Sequence, residues 1–292
     1  MPRPSFLDVI VQDLGVSPSV TGLCAGYENG AWRAEALAAR LIEEIPSFAL
    51  THRERADFGD DTGVHLMGVA VRKIYTTDKY KRRGEFGELL LHLVLREVFG
   101  TQPAISKMFF KDAANDTVKG FDAVHVVAPY GGALELWLGE VKFYLDRADA
   151  IRDVVMELHE HSERDYLRSE FAAIVAKLDA TWEHHDQLAA LLDRRTSLDQ
   201  VFDVVTVPVL LTYESPVVGS RVDALAAGES PAATDEYRRL FEEEILAGLA
   251  AFNAKELPEH IRIRLILVPL HTKEALLSAL HARLVAWQQA TN

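Results

Sequence analysis

The chain has 292 residues, of which 49% are hydrophobic and 26% are charged, and its formal net charge is −13 at pH 7. This length and apolar content predict a globular protein of one large or two modest domains. A single cysteine, Cys24, excludes an internal disulfide and a cysteine-based metal cluster. No apolar run approaches the ~18–20 residues that span a bilayer, and the N-terminus has no signal-peptide core, so we expect a cytoplasmic protein without membrane contact.

The N-terminal third, residues 1–83, carries the weakest patterns. Residues 32–45 place leucine and isoleucine at four-residue spacing and predict an amphipathic helix that ends before Pro46. Residues 48–50 and 64–74 are rich in apolar and β-branched side chains, which favours strands. We therefore expect residues 1–83 to form an α/β region packed on the rest of the protein.

Residues 83–99 predict a buried helix. The segment is rich in helix formers, ends at Gly100, and is apolar on almost all sides. Its first turn contains Glu85 and Glu88. Two glutamates at the start of a buried helix need partners, so this helix is expected to contribute to a polar site.

Residues 116–146 have the pattern of a β-hairpin, with two apolar runs around a Pro-Tyr-Gly-Gly turn. Folding the hairpin symmetrically about Gly131 pairs residue 124 with 138, residue 126 with 136, and Asp122 with Glu140. Facing residues of an antiparallel pair hold their Cβ atoms ~4.5–5.5 Å apart, close enough for two carboxylates to share a divalent cation. Lys142, two residues beyond Glu140, is expected on the same face.

The residue types at this hairpin indicate their chemistry. Hard oxygen ligands, with no histidine or thiolate expected nearby, favour magnesium or manganese over zinc. A cation held by Asp122 and Glu140 beside the Lys142 ammonium suits phosphodiester hydrolysis. The alternative is an ordinary surface hairpin with a cross-strand ion pair.

The remainder of the chain alternates helices and strands, which predicts a mixed α/β sheet with helices on both faces. Helices are expected at residues 149–161, 166–193, 234–253 and 273–288, strands at 201–213 and 261–270, and a loop at 215–234. Four histidines, His159, His161, His184 and His185, are expected on solvated helix faces. His125 is out of phase with Asp122 and is expected to have a structural role on the opposite face of its strand.

Positive charge is concentrated ahead of the hairpin. Residues 72–119 contain ten basic and six acidic residues, in a chain that is acidic elsewhere. Such a segment favours contact with phosphates. The residues expected to contact DNA are Lys79, Lys81, Arg82, Arg83, Lys111 and Lys119.

Three short segments carry a resemblance to a known family. They are GEFGELL at residues 84–90, KGFDAVH at 119–125 and LGEVKFY at 138–144. Their order, a helix with a glutamate followed by an aspartate hairpin with Glu-x-Lys, is that of the PD-(D/E)xK nuclease core. Together they resemble HamA, the nuclease family of Hachiman anti-phage defence. Phe121 stands where the proline of the general motif is expected, while the charged residues match.

The resemblance implies a catalytic set of Glu88, Asp122, Glu140 and Lys142. Glu88 fits the helix position better than Glu85 because it follows the Gly-x-x-Gly spacing. The implied cofactor is Mg²⁺ or Mn²⁺, bound by Asp122, Glu140 and Glu88. The implied fold is an α/β restriction-endonuclease-like mixed sheet flanked by helices, with N-terminal and helical additions. Residues 84–292 would form this core, with a helical insertion at about 149–195.

The implied partners are DNA and a superfamily-2 helicase of the HamB type, which would release the nuclease. Two alternatives remain open from the sequence. One is a restriction or repair nuclease that acts alone, which would need its own sequence-reading element. The other is a non-catalytic scaffold that binds a partner on the same fold.

Overall fold

The computed structural model describes residues 5–56, 59–74, 84–106, 120–128, 133–228 and 234–291. A seven-stranded sheet forms its centre, in the spatial order β1-β2-β9-β8-β7-β6-β5. Its strands are β1 (Asp8–Asp13), β2 (Ser19–Cys24), β5 (Gln102–Ser106), β6 (Ala123–Val127), β7 (Glu135–Phe143), β8 (Val205–Glu214) and β9 (Arg262–Leu270). A short hairpin, β3 (Tyr27–Glu28) and β4 (Ala31–Trp32), stands apart from this sheet.

The sheet is mixed. The neighbouring strands β2, β9, β8 and β7 run parallel, while the pairs at both edges, β1–β2, β7–β6 and β6–β5, are antiparallel. Every residue of β2 is buried, as are nine of the ten residues of β8, because helices cover both faces of the central strands. The predicted mixed α/β sheet flanked by helices is confirmed, and the N-terminal strands complete the same sheet that carries the hairpin.

The helices of the described ranges vary in length from five to twenty residues. They are α1 (Ala34–Ala49), α2 (His52–Ala56), α3 (Gly63–Ile74), α4 (Glu85–Glu97), α5 (Arg147–Ser162), α6 (Arg164–Lys177), α7 (His185–Leu191), α8 (Leu198–Phe202), α9 (Pro216–Ala226), α10 (Thr234–Asn253) and α11 (Lys273–Ala290). Helix α4 contacts β5, β6 and β7, and α1 packs on α3, α4 and α11. Helix α5 contacts β7 and β8, and α10 contacts β1, β2 and β9. Among these helices, none is long and apolar enough to cross a membrane.

Two predicted strands in the N-terminal region are helical. Residues 64–74 belong to α3, whose buried side chains Met67, Ala70, Val71 and Ile74 recur at spacings of three and four. This spacing is that of a helix. Residues 64–74 form a helix despite their β-branched composition, because only a helix places these side chains on one buried face. Residues 48 and 49 extend α1 beyond Pro46, because Phe48 and Ala49 are buried with the rest of that helix face.

Three predictions in the C-terminal half also need correction. The single helix expected at 166–193 is divided into α6 and α7, with the chain leaving the helix at Leu178. The loop expected at 215–234 contains α9, whose N-cap Ser215 accepts a hydrogen bond from the backbone of Val218, with proline at the first helical position. These are favourable helix-start signals that outweigh the Gly, Ser and Ala content. Residue 201, expected in a strand, lies in α8.

Candidate active site

The hairpin register is the one that the sequence predicted. Strands β6 and β7 pair Val124 with Leu138 and Val126 with Leu136. The ladder ends at the pair Ala123–Gly139, so Asp122 is the residue that precedes β6 opposite Glu140. The turn at residues 129–132 lies outside the described residues.

Asp122 occupies the point where β6 leaves its partner. Its backbone N–H donates to the Gly139 carbonyl at 2.8 Å, and its Oδ2 accepts from the Val141 N–H at 2.9 Å. The β6–β7 ladder ends at Ala123, so the backbone of β6 gives the Val141 N–H no partner. The Asp122 side chain accepts that hydrogen bond instead. This bond fixes a buried carboxylate, 7% exposed, at the mouth of the hairpin.

Glu140 and Lys142 point to the face of β7 that α5 covers. Oε1 of Glu140 lies 2.6 Å from Nδ1 of His161, and Nζ of Lys142 forms an ion pair with Glu157. Both partners belong to α5, which confirms that Glu140 and Lys142 share one face. Glu140 is 1% exposed and Lys142 is 9% exposed.

The surroundings of Glu140 disfavour its charge. Burial, and secondarily the negative charge of Asp122, raise the pKa of Glu140 to about 7, although the hydrogen bond from His161 opposes the rise. Burial alone would lower the pKa of His161, but the Glu140 carboxylate more than offsets it and the net pKa is raised. Glu140 and His161 thus share a proton-binding site beside Asp122.

His161 is a site residue that the sequence interpretation missed. The expected solvated position is wrong, because His161 is 9% exposed. Its ring stacks on Tyr166 at 4.4 Å between centroids and meets Phe121 edge-on at 5.1 Å. The signal was present in the helix period, since His161 follows Val154 and Leu158 on the buried face of α5. His159, by contrast, is exposed as expected.

Helix α4 approaches β7 from the opposite face. A Cβ at Gly87 would lie 2.9 Å from Cβ of Phe143 and 3.3 Å from Cγ2 of Val141. These odd-numbered residues of β7 point away from the face that carries Glu140. Glycine at position 87 is what allows the helix backbone to approach the strand so closely.

The first turn of α4 carries both predicted glutamates in buried positions. Glu85 is 5% exposed and Glu88 is 6% exposed. Within the described residues, no group of three or more histidine, cysteine, aspartate or glutamate side chains is arranged to hold a metal ion. The structure therefore brings Asp122 and Glu140 together but does not assemble a three-carboxylate cage with Glu88.

The donor set at the hairpin nevertheless fits a small hard cation. Mg²⁺ is commonly held by one or two carboxylates, with water and substrate phosphates as its other ligands. Asp122 and Glu140 supply two such carboxylates, and their mutual repulsion is what a bound cation would relieve. The six residues expected to contact DNA lie outside the described residues: Lys79, Lys81, Arg82, Arg83, Lys111 and Lys119.

The fold and the site define a mixed α/β protein with a buried acidic pair, a lysine and a histidine at the mouth of an antiparallel hairpin. The sequence model of the HamA family matches residues 4–284, so the chain belongs to the HamA family. The resemblance seen in the three short segments is thereby confirmed, and it associates the protein with Hachiman anti-phage defence. No curated protein matches the chain.

Proposed function

We propose that this protein is a DNA nuclease of the PD-(D/E)xK class that acts as the effector of a Hachiman-type defence system. The observation that carries the proposal is the buried pair Asp122 and Glu140, with Lys142 two residues beyond Glu140 on the same face of β7. Two like charges inside apolar strands are costly unless they bind something of opposite charge. Mg²⁺ or Mn²⁺, together with a DNA phosphate, meets that requirement.

Asp122 and Glu140 would hold the cation. When bound, the cation supplies Lewis-acid polarisation of the phosphate and lowers the pKa of a water molecule. The chain itself contributes orientation. The Val141 N–H fixes Asp122, and the His161 ring fixes Glu140 against α5. Partners of this kind orient metal ligands and preserve their basicity.

Lys142 would balance charge on the phosphoryl oxygens. Its ammonium group is held by Glu157, whose side chain is 37% exposed. Glu157 can exchange for a phosphate oxygen, because its partly exposed carboxylate regains water when released and the ammonium keeps an anionic partner. Glu157 would thus keep the lysine extended in the free protein and yield it to DNA.

A non-catalytic scaffold remains the competing function. The contacts of Glu140 with His161 and of Lys142 with Glu157 satisfy these groups without any ligand. A scaffold would require only those contacts, whereas a nuclease requires the acidic pair to bind a cation. Cation binding and DNA cleavage therefore separate the two functions.

The test incubates purified protein with plasmid DNA and Mg²⁺, with and without a chelator. Asp122→Asn and Glu140→Gln should abolish cleavage, because each removes an anionic oxygen ligand. Glu135→Gln is the matched control, since Glu135 lies on the same strand, where it accepts from Trp137, and should leave cleavage intact. Cleavage that persists in Glu140→Gln would show that the assignment is wrong.

We also propose that a helicase of the HamB type controls the nuclease. The support is family membership and a net charge of −13, which disfavours DNA binding by the whole surface and favours a basic partner. The chain should co-elute with the helicase at low salt, and cleavage should respond to DNA ends or helicase nucleotide. Separate elution with unaltered cleavage would support a nuclease that acts alone.

A further inference from the structure

A continuous chain of buried and partly buried hydrogen bonds runs from Glu44 to Thr101. Oγ of Ser47 donates to Glu44 and lies 2.8 Å from both Glu44 Oε2 and His92 Nε2. Nδ1 of His92 lies 3.2 Å from Nε2 of His125, and Nδ1 of His125 lies 2.7 Å from Oγ1 of Thr101. We call these five residues the Glu44–Thr101 relay.

The relay has a defined charge state. Burial, reinforced by nearby cations, holds the pKa of His92 and of His125 well below the usual value, so both rings are neutral at pH 7. Burial alone would raise the pKa of Glu44, but Arg96 and Arg40 more than offset it and the net pKa is lowered. An ionised carboxylate therefore stands at one end of two neutral imidazoles.

The carboxylate determines the direction of every bond. The single hydroxyl proton of Ser47 goes to Glu44, the stronger acceptor, so His92 Nε2 must donate to Ser47. A neutral His92 then accepts at Nδ1, which requires His125 Nε2 to donate. A neutral His125 in turn accepts at Nδ1, so Thr101 donates. Both rings are thereby fixed with the proton on Nε2.

The relay joins the elements that carry the candidate site. His92 lies on α4, one helical turn after Glu88, and His125 lies on β6, three residues after Asp122. Ser47 and Glu44 anchor them both to α1. Such an anchor stabilises strand β6, because its ladder with β7 ends at Ala123 and its other neighbour, β5, is the last of the described strands at this edge of the sheet.

We infer that Ser47, His92 and His125 are positioning residues that hold α4 and the start of β6 in register for the candidate site. Misplacement of a reacting group by ~1 Å can lower the rate ~10²-fold. Hydrogen bonds that fix the position of Asp122 can therefore affect the cleavage rate although the residues that form them do not contact the substrate. The inference rests on the proposed nuclease function for its kinetic consequence. The directions of its hydrogen bonds and its effect on Asp122 do not depend on that function.

The first experiment measures the tautomers. ¹⁵N–¹H correlation spectra of the imidazole rings distinguish neutral rings protonated on Nε2 from those protonated on Nδ1, and His92→Gln and His125→Gln assign the signals. We expect both rings to be neutral at pH 7 with the proton on Nε2. A charged ring, or a proton on Nδ1 of either histidine, would overturn the relay.

The second experiment compares Thr101→Val with Thr101→Ser. Valine removes the hydroxyl without a change of shape, whereas serine keeps it. Thr101→Val should lower kcat for DNA cleavage by ~10- to ~100-fold with KM for DNA unchanged, and Thr101→Ser should restore kcat. Ser47→Ala should act like Thr101→Val. Val20→Ala, at the far side of the sheet, controls for a general loss of core packing.

Amide hydrogen exchange of Val141 supplies a readout that needs no activity. This N–H donates to Asp122, so it reports whether that carboxylate stays seated. Faster exchange in Thr101→Val than in Thr101→Ser or Val20→Ala would support the positioning role even if the wild-type protein cleaves no DNA, a result that would refute only the proposed function. Equal exchange in Thr101→Val and Thr101→Ser would overturn the positioning role.

Discussion

Replacement of Glu140 should make the metal-free protein more stable at alkaline pH. The pKa of Glu140 is raised from 4.5 to about 7, mainly by burial. A carboxyl group with a raised pKa holds its proton more tightly in the folded protein than in the unfolded chain. The free energy of unfolding therefore falls as the pH rises from 4.5 to about 7 and stays low above that range.

The magnitude follows from the size of the shift. At ~1.36 kcal/mol per pKa unit, the raised pKa of Glu140 corresponds to a loss on the order of 3 kcal/mol above pH 7. His161 reinforces this trend. Its raised pKa stabilises the folded protein at low pH, and that contribution is lost as the pH rises through the pKa of His161 in the folded protein. Glu140→Gln removes both effects but keeps an oxygen that accepts from His161. We expect a gain of ~1–3 kcal/mol at about pH 8 that shrinks toward about pH 5.

Urea denaturation with a chelator present, followed by tryptophan fluorescence from about pH 5 to about pH 8, measures this difference. Glu135→Gln, on the same strand, is the matched control for the loss of a carboxylate from β7. A Glu140→Gln variant that is less stable than the wild type at about pH 8 would refute the reasoning. So would a gain that is the same at every pH, because protonation linkage cannot produce it.

Four further substitutions test the site and its packing. Lys142→Ala should lower the single-turnover cleavage rate by ~10²-fold or more, because it removes one pre-organised charge, and an unchanged rate would contradict its role. The HamA resemblance implies a catalytic role for Glu88 that the described residues do not by themselves assemble. Glu88→Gln tests that role and should reduce cleavage by orders of magnitude. Glu85→Gln should lower the free energy of unfolding by ~0.3–1 kcal/mol with activity largely kept, and the reverse pattern in cleavage and urea assays would exchange their roles. Gly87→Ala should destabilise the fold by ~1–3 kcal/mol through overpacking. Its new Cβ would lie 2.9 Å from Cβ of Phe143, and an unchanged melting temperature would contradict that close approach.

Local patterns were sufficient for the hairpin and for several helices. The register that sets Asp122 opposite Glu140 follows the alternation of two apolar runs that lie close together in one continuous segment. Helix α10 begins and ends where its sequence predicts, at residues 234 and 253. In such segments the interactions that decide the structure connect residues close in the chain.

The amino-acid composition of a segment was misleading where it disagreed with the spacing of the apolar residues. Residues 64–74 are β-branched and apolar, yet their spacing is helical, and packing of α3 against α1 and α11 selected the helix. Strands β1 and β2 had no clear local signal. The place of β2 beside β9 depends on pairing with residues more than two hundred positions away, and β1 joins the sheet through its pairing with β2.

The contacts of the buried polar groups were decided by tertiary structure. Periodicity could place His161 on the buried face of its helix, but it could not show that this face meets Glu140, twenty-one residues earlier. The same holds for His92 and His125, which are thirty-three residues apart. A sequence pattern states which side of an element avoids water. The partner that satisfies a buried polar atom is chosen when elements distant in the chain pack together, because the cost of leaving such an atom unpaired is paid only then.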